Sequence, residues 1–160
     1  MNSSSAPARR MLIAYDGTSI AAHALRQAAA LLKAEAVEII TAWEPMTRTN
    51  ARAASMTGSH QPAYTGEDDT AYEHARNVCE EGIELAESLG LSVQAHIVEH
   101  TGNIAQAIAD AADELGVDVI VAGTRGISGV KSWFSNSTAA NVLQTANCPV
   151  FVVPSSSDED

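Results

Sequence analysis

Positive charge is scarce in this sequence. Nine Lys and Arg residues stand against twenty Asp and Glu, for a formal net charge of −11 at pH 7. Nucleic-acid affinity rests on neutralising phosphates with Lys and Arg. The few present do not cluster beyond Arg9 and Arg10 and the pair Arg125 and Lys131, so a nucleic-acid partner is not expected. An anionic membrane surface is disfavoured for the same reason. Cysteine is rarer still: Cys79 and Cys148 form no CxxC and have no metal-ligand spacing, and they read as small buried thiols. The five histidines are scattered without an HExxH pair. His96 and His100 are four apart, but on a stretch that reads as a strand, where that spacing makes no helical chelate. A metal enzyme is therefore not expected. Long apolar runs are missing as well. The first of them, residues 11–15, stops at Asp16, far too short for a signal segment or a membrane span, so the expected setting is cytoplasmic.

Apolar residues nevertheless make up 46% of the 160 positions, with aromatics at only 4%. The core must be built from Ala, Val, Leu and Ile, as where helices pack closely on a sheet. Residues 11–15, Met-Leu-Ile-Ala-Tyr, form a continuous apolar run ending at Asp16-Gly17, which suits a strand buried on both faces. A helical stripe follows at Ala21, Ala24, Leu25, Ala28 and Leu32, with Thr18 or Ser19 as N-cap. Residues 37–43 give a second strand. Residues 44–66 carry two prolines and two glycines and no apolar period, so they are expected to be a mobile connection. A second helix begins at Glu67, with a stripe of Ala71, Ala75, Val78, Gly82, Leu85 and Leu89, and Gly90 closes it. A strand at 92–99 precedes a helix capped by Asn103, with Gln106 placed for a reciprocal capping box. Its stripe is Ile104, Ala107, Ile108, Ala111 and Leu115. Residues 118–122 and 149–153 supply two further strands around a last helix at 137–146. One domain over residues 9–154 is expected, between a mobile N-terminus (1–8) and an acidic tail (155–160). Strands alternating with helices call for an α/β fold, an open five-stranded parallel sheet covered on both faces and Rossmann-like.

In such a sheet, ligands sit beyond the carboxyl ends of the strands where the winding reverses. Two loops there have unusual composition: Asp16-Gly17-Thr18-Ser19 after the first strand, and Gly123, Gly126 and Gly129 after the fourth. Glycines allow close backbone approach, and Ser137 and Thr138 open the following helix, whose exposed N–H groups favour an anion such as phosphate. Arg125 and Lys131 are cations nearby. Asp16 is a good acceptor for ribose hydroxyls. The same residues equally suit plain structural work: glycines that turn the chain, Ser137 as a cap, Asp16 as a helix start. No Walker A loop, GxGxxG or GxSxG motif is present.

The runs 13–19, 119–126 and 139–153 resemble universal stress proteins, a resemblance covering roughly residues 9–154 except for the 44–66 segment. Its most specific part is Gly123-x2-Gly126-x9-Asn136-Ser137, which matches the family's Gly-x2-Gly-x9-Gly-Ser/Thr motif at three of four positions, Asn136 standing in place of the third glycine. The resemblance implies strand order 3-2-1-4-5, ATP as ligand with or without Mg2+, and a homodimer through Val150 to Val153. Carried over from it, binding roles fall on Asp16, Gly123, Gly126 and Ser137, with Asn136 at the motif's glycine position and adenine near the backbone of Ala14 and Ala42; Arg125 as a nearby cation and Thr138 as a hydroxyl donor complete the candidate site. A regulatory nucleotide-binding protein is the function implied. The rival is a dimeric interaction protein that binds no nucleotide, as in family members lacking the motif; a slow ATPase ranks below both, because no general base is identifiable.

Overall fold

The computed structural model describes residues 9–45, 70–124 and 138–155. Strand β1 (Arg10–Ala14) is followed by helix α1 (Ser19–Leu31), β2 (Ala36–Trp43), α2 (Thr70–Ser88), β3 (Val93–Glu99), α3 (Ile104–Leu115), β4 (Val119–Gly123), α4 (Thr138–Thr145) and β5 (Val150–Val153). Every strand pairing is parallel, and the order is β3-β2-β1-β4-β5, as the resemblance implied. The expectations for residues 1–8, for 46–66 of the long connection and for 156–160 lie outside the described residues. No helix among the described residues is long and apolar enough to cross a membrane.

β1 takes the centre because it is apolar on both faces. Met11 and Ile13 join Val37, Ile39 and Val121 under the Ala21, Ala24, Leu25 and Ala28 face of α1 and Val78 and Ala86 of α2. Leu12 points the other way and meets Ile40, Ile120, Ile108 of α3 and Val142 of α4. Met11, Leu12 and Ile13 are all at 0% exposure. Burying each such side chain stabilises by roughly 1.5–3 kcal/mol, more than the cap of any single helix, typically about 1 kcal/mol. Central placement of β1 therefore dominates the local signals.

The caps are present in part as the residues suggested. Thr18 is the N-cap of α1, its Oγ1 accepting the Ala21 N–H at 3.2 Å. Asn103 Oδ1 accepts the Gln106 N–H at 3.0 Å. The return half of the capping box is not made: Gln106 Nε2 donates to Asp110 Oδ1 at 2.8 Å, one turn further on. The stripe of α2 is also rotated from the expected one. Ala75, Val78, Cys79, Gly82 and Ala86 are buried, whereas Leu89 is 38% exposed. Small residues win because α2 lies close on the sheet: a Cβ at Gly82 would stand 2.9 Å from the Tyr15 ring.

One carboxylate is buried in the sheet. Glu38 of β2 is 5% exposed, and its Oε2 lies 2.7 Å from Nε2 of His96 on β3. Burying an ionisable group is tolerable only with such a partner.

Burial pushes the Tyr15 phenol above its ordinary value of 10.0, and Glu81 adds to this. Burial likewise raises the Cys79 thiol above 9.0, opposed by a hydrogen bond with Thr41. A raised folded value means stability that is intact below the unfolded pKa and lost as pH rises through the folded one. The urea midpoint should therefore hold from neutrality to about pH 9 and decline above it. Cys79→Ala should blunt the first part of the decline; a midpoint flat up to pH 11 would contradict this account.

Candidate functional site

β1 has β2 on one side and β4 on the other, so the winding reverses there and a crevice opens beyond the strand ends. The cleft has a volume of about 150 Å3. Its floor is Ala14 of β1 with Tyr15 and Asp16 just after it, Ile40 and Ala42 of β2, and Ala122 and Gly123 of β4. Thr18, Ile20 and Ala21 of the α1 start form one wall, Ile104 and Ile108 of α3 another, and Thr138 of α4 closes it. Among the described lining residues Asp16 is the one with a charged side chain. Mostly apolar walls with one carboxylate and the Thr18 and Thr138 hydroxyls among the described lining residues suit a flat ring system that carries hydroxyl groups.

The backbone fixes Asp16. Tyr15 N–H continues the β1–β2 ladder by donating to Ile40 O at 2.9 Å, and Tyr15 O accepts the buried Thr41 hydroxyl at 3.0 Å. The chain then turns through Gly17 at φ +80°, a conformation that carries little penalty only for glycine. Asp16 Oδ1 accepts both the Thr18 N–H at 3.0 Å and the Thr18 hydroxyl at 2.6 Å. The Thr18 oxygen in turn caps α1, so the carboxylate and the helix start form one relay.

Gly123 has a different reason to be glycine than ligand approach alone. A Cβ there would stand 2.8 Å from Ile20 Cγ2 and 3.0 Å from Ile20 O. The first turn of α1 occupies that space and brings the Asp16 loop against the end of β4. Directly after it, Thr124 N–H donates to Val153 O at 3.0 Å, tying the strand end to β5.

Of the residues singled out in the sequence, Ala14, Asp16, Ala42, Gly123 and Thr138 come together in this cleft. Arg125, Gly126, Asn136 and Ser137 lie outside the described residues. Thr18 was read as a cap within the loop after the first strand, Ile20 was not singled out, and Ile104 and Ile108 were read only as core. The available signal was position: the isoleucines are four apart on the first turns of the helix that follows β3, so they face the strand ends. A second hollow of about 260 Å3 adjoins the cleft and shares Asp16 and Ala42 with it. Thr41, Trp43, Glu44, Ala71 and His74 help to line it, and Trp43 meets Tyr72 edge-on with ring centroids 5.2 Å apart. Among the described residues no group of three or more His, Cys, Asp or Glu side chains is placed to hold a metal ion.

Comparison with known proteins agrees with this architecture. Universal stress protein YxiE of Bacillus subtilis is 32% identical over 150 residues, spanning 90% of this chain and 97% of that one. A universal stress protein solved in complex with cAMP superposes with a TM-score of 0.64 at 22% identity, covering 92% of this chain and 98% of the other. The universal stress protein of Archaeoglobus fulgidus, solved in complex with dAMP, gives a TM-score of 0.62 at 21% identity, covering 90% and 96%. The model of the universal stress protein family matches residues 7–154, the whole of the βα array, and the chain belongs to that family.

Proposed function

We propose that this chain binds an adenine nucleotide, ATP foremost, and works as a regulatory protein of the stress response in the cytoplasm. The observation that carries the reading is the apolar cleft at the winding reversal, ending at the fixed carboxylate of Asp16. The purine lies between Ala14 and Ala42 against Ile104 and Ile108, and Asp16 accepts from the ribose hydroxyls. Gly123, Arg125, Gly126, Asn136, Ser137 and Thr138 serve the phosphates, with Mg2+ as the natural counter-ion of a triphosphate. Support comes from the two similar structures solved with cAMP and dAMP. Asp16→Ala should weaken ATP binding in equilibrium dialysis about tenfold or more, since hydrogen bonds to a charged group contribute roughly 1.5–3 kcal/mol. Unchanged affinity in a folded variant would remove Asp16 from the site.

A second reading, an interaction protein that works as a homodimer without nucleotide, is favoured by two observations. Asn136 stands where the family motif has its third glycine, and β5 ends the sheet with the wholly apolar sequence Val-Phe-Val-Val. An unprotected apolar edge invites pairing with another chain. A homodimer through Val150 to Val153 is compatible with both readings. Val152→Lys should shift the protein toward monomer in sedimentation, and a parent protein that is monomeric at high micromolar concentration would rule this interface out.

A further inference from the structure

The hollow beyond Asp16 lies on the opposite face of the sheet from Ile104 and Ile108. Side chains alternate along β2: Ile40 packs with Ile108 of α3, whereas Ile39 packs with Val78 of α2. Thr41 and Trp43 therefore turn toward α2, whose Ala71, His74 and Val78 line the hollow with them. The turn after β1 fits closely against the same helix, since a Cβ at Gly17 would stand 3.2 Å from Val78 Cγ2. Asp16, at the start of that turn, lines both spaces and so stands at the rim where they meet. The hollow measures about 260 Å3, far above the roughly 10–15 Å3 that admits one water. A group of several heavy atoms fits there.

Its lining says which kind of group. Trp43 supplies an aromatic surface, and Tyr72 holds that ring edge-on, with centroids 5.2 Å apart and planes at 71°. Asp16 and Glu44 bring carboxylates, His74 an imidazole, and no Lys or Arg is among the described lining residues. Two carboxylates repel a phosphate. They accept a neutral ring, which Trp43 can stack, or a cation, which Trp43 also attracts.

We propose that this hollow receives an acyl group carried on the ribose of the bound nucleotide, so that the ligand is an adenine nucleotide esterified at its 2′ or 3′ oxygen with an aromatic or amino-bearing acid. The inference rests on the nucleotide reading above, in which Asp16 accepts from the ribose hydroxyls. A ribose offers two of them side by side. One still donates to Asp16, and the ester on its neighbour passes over the rim toward Trp43. The base keeps its place against Ile104 and Ile108, and the phosphates stay on the Gly123 and Thr138 side, away from Glu44. An ammonium group on the acid is drawn to the two carboxylates.

The test compares three nucleotides by calorimetric titration of the full chain: ATP, ATP bearing an N-methylanthraniloyl ester on its ribose, and ATP bearing a 3′-phosphate. The aromatic ester should bind about threefold to tenfold more tightly than ATP, and the 3′-phosphate roughly fivefold or more weakly. Ala71→Phe fills the hollow from α2 and should erase the advantage of the ester while ATP binds as before. Trp43→Leu should erase it by removing the ring, which keeps the test decisive if one variant does not fold. An ester that binds no better than ATP, or whose advantage survives in a folded variant, would overturn the proposal, as would a 3′-phosphate bound as tightly as ATP. No binding of any of the three would overturn the nucleotide reading and the proposal with it.

Discussion

Gly123→Val is expected to destabilise the fold severely, before any effect on ligand binding can be read. The new Cβ would stand 2.8 Å from Ile20 Cγ2, and 3.0 Å from a backbone oxygen that cannot turn aside as a side chain can. Overpacking of this kind costs about 1–3 kcal/mol, and the valine branches place it at the upper end. Against a total stability of roughly 5–15 kcal/mol for such a domain, the urea midpoint should fall clearly. Combining Gly123→Ala with Ile20→Ala should recover part of the loss, because it removes the Cγ2 contact but not the carbonyl one. A valine variant as stable as the parent would show that α1 does not depend on this glycine. Loss of nucleotide binding in Gly123→Val is therefore not in itself proof of a phosphate role.

Ala42→Phe should instead weaken binding strongly while sparing the fold. Ala42 is half-buried at the carboxyl end of β2 and borders both the cleft and the hollow beyond Asp16. A benzyl group there extends into open space rather than into packed backbone. A ligand forced to share that space loses about 1–3 kcal/mol, or roughly tenfold to a hundredfold in Kd. Thermal unfolding checks that the variant is intact. Equal ATP affinity in the two proteins would place the base elsewhere.

How much of this was legible in the sequence follows from the range over which each signal acts. The unbroken apolar run at 11–15 announced a strand buried on both faces, and the Thr18 cap lay within three residues of the donor it serves. Asp16 stood out as a carboxylate directly after such a strand, but the sequence alone left a helix-start role equally open, and only the fold sets it in the lining of the cleft. What failed was long-range. Gly123 owes its lack of a side chain to Ile20, which no local pattern links to it. Nothing local links Glu38 to His96, 58 positions away, against which it is buried. Large Leu89 looked like core and Ala86 did not, but α2 lies so close over Tyr15 that only small residues fit beneath it. The inner wall of the cleft, Ile104 and Ile108, was read as apolar stripe and nothing more, because periodicity cannot tell a core face from a pocket face.

The central claim is that the cleft beside Asp16 is a nucleotide site, and amide chemical-shift mapping during titration with ATP tests it most directly. The account predicts saturable shifts concentrated at Tyr15, Asp16, Ala42, Gly123 and Thr138, with the Arg10 and Lys33 end of the sheet unmoved. Saturating ATP that leaves those five amides where they were would contradict it.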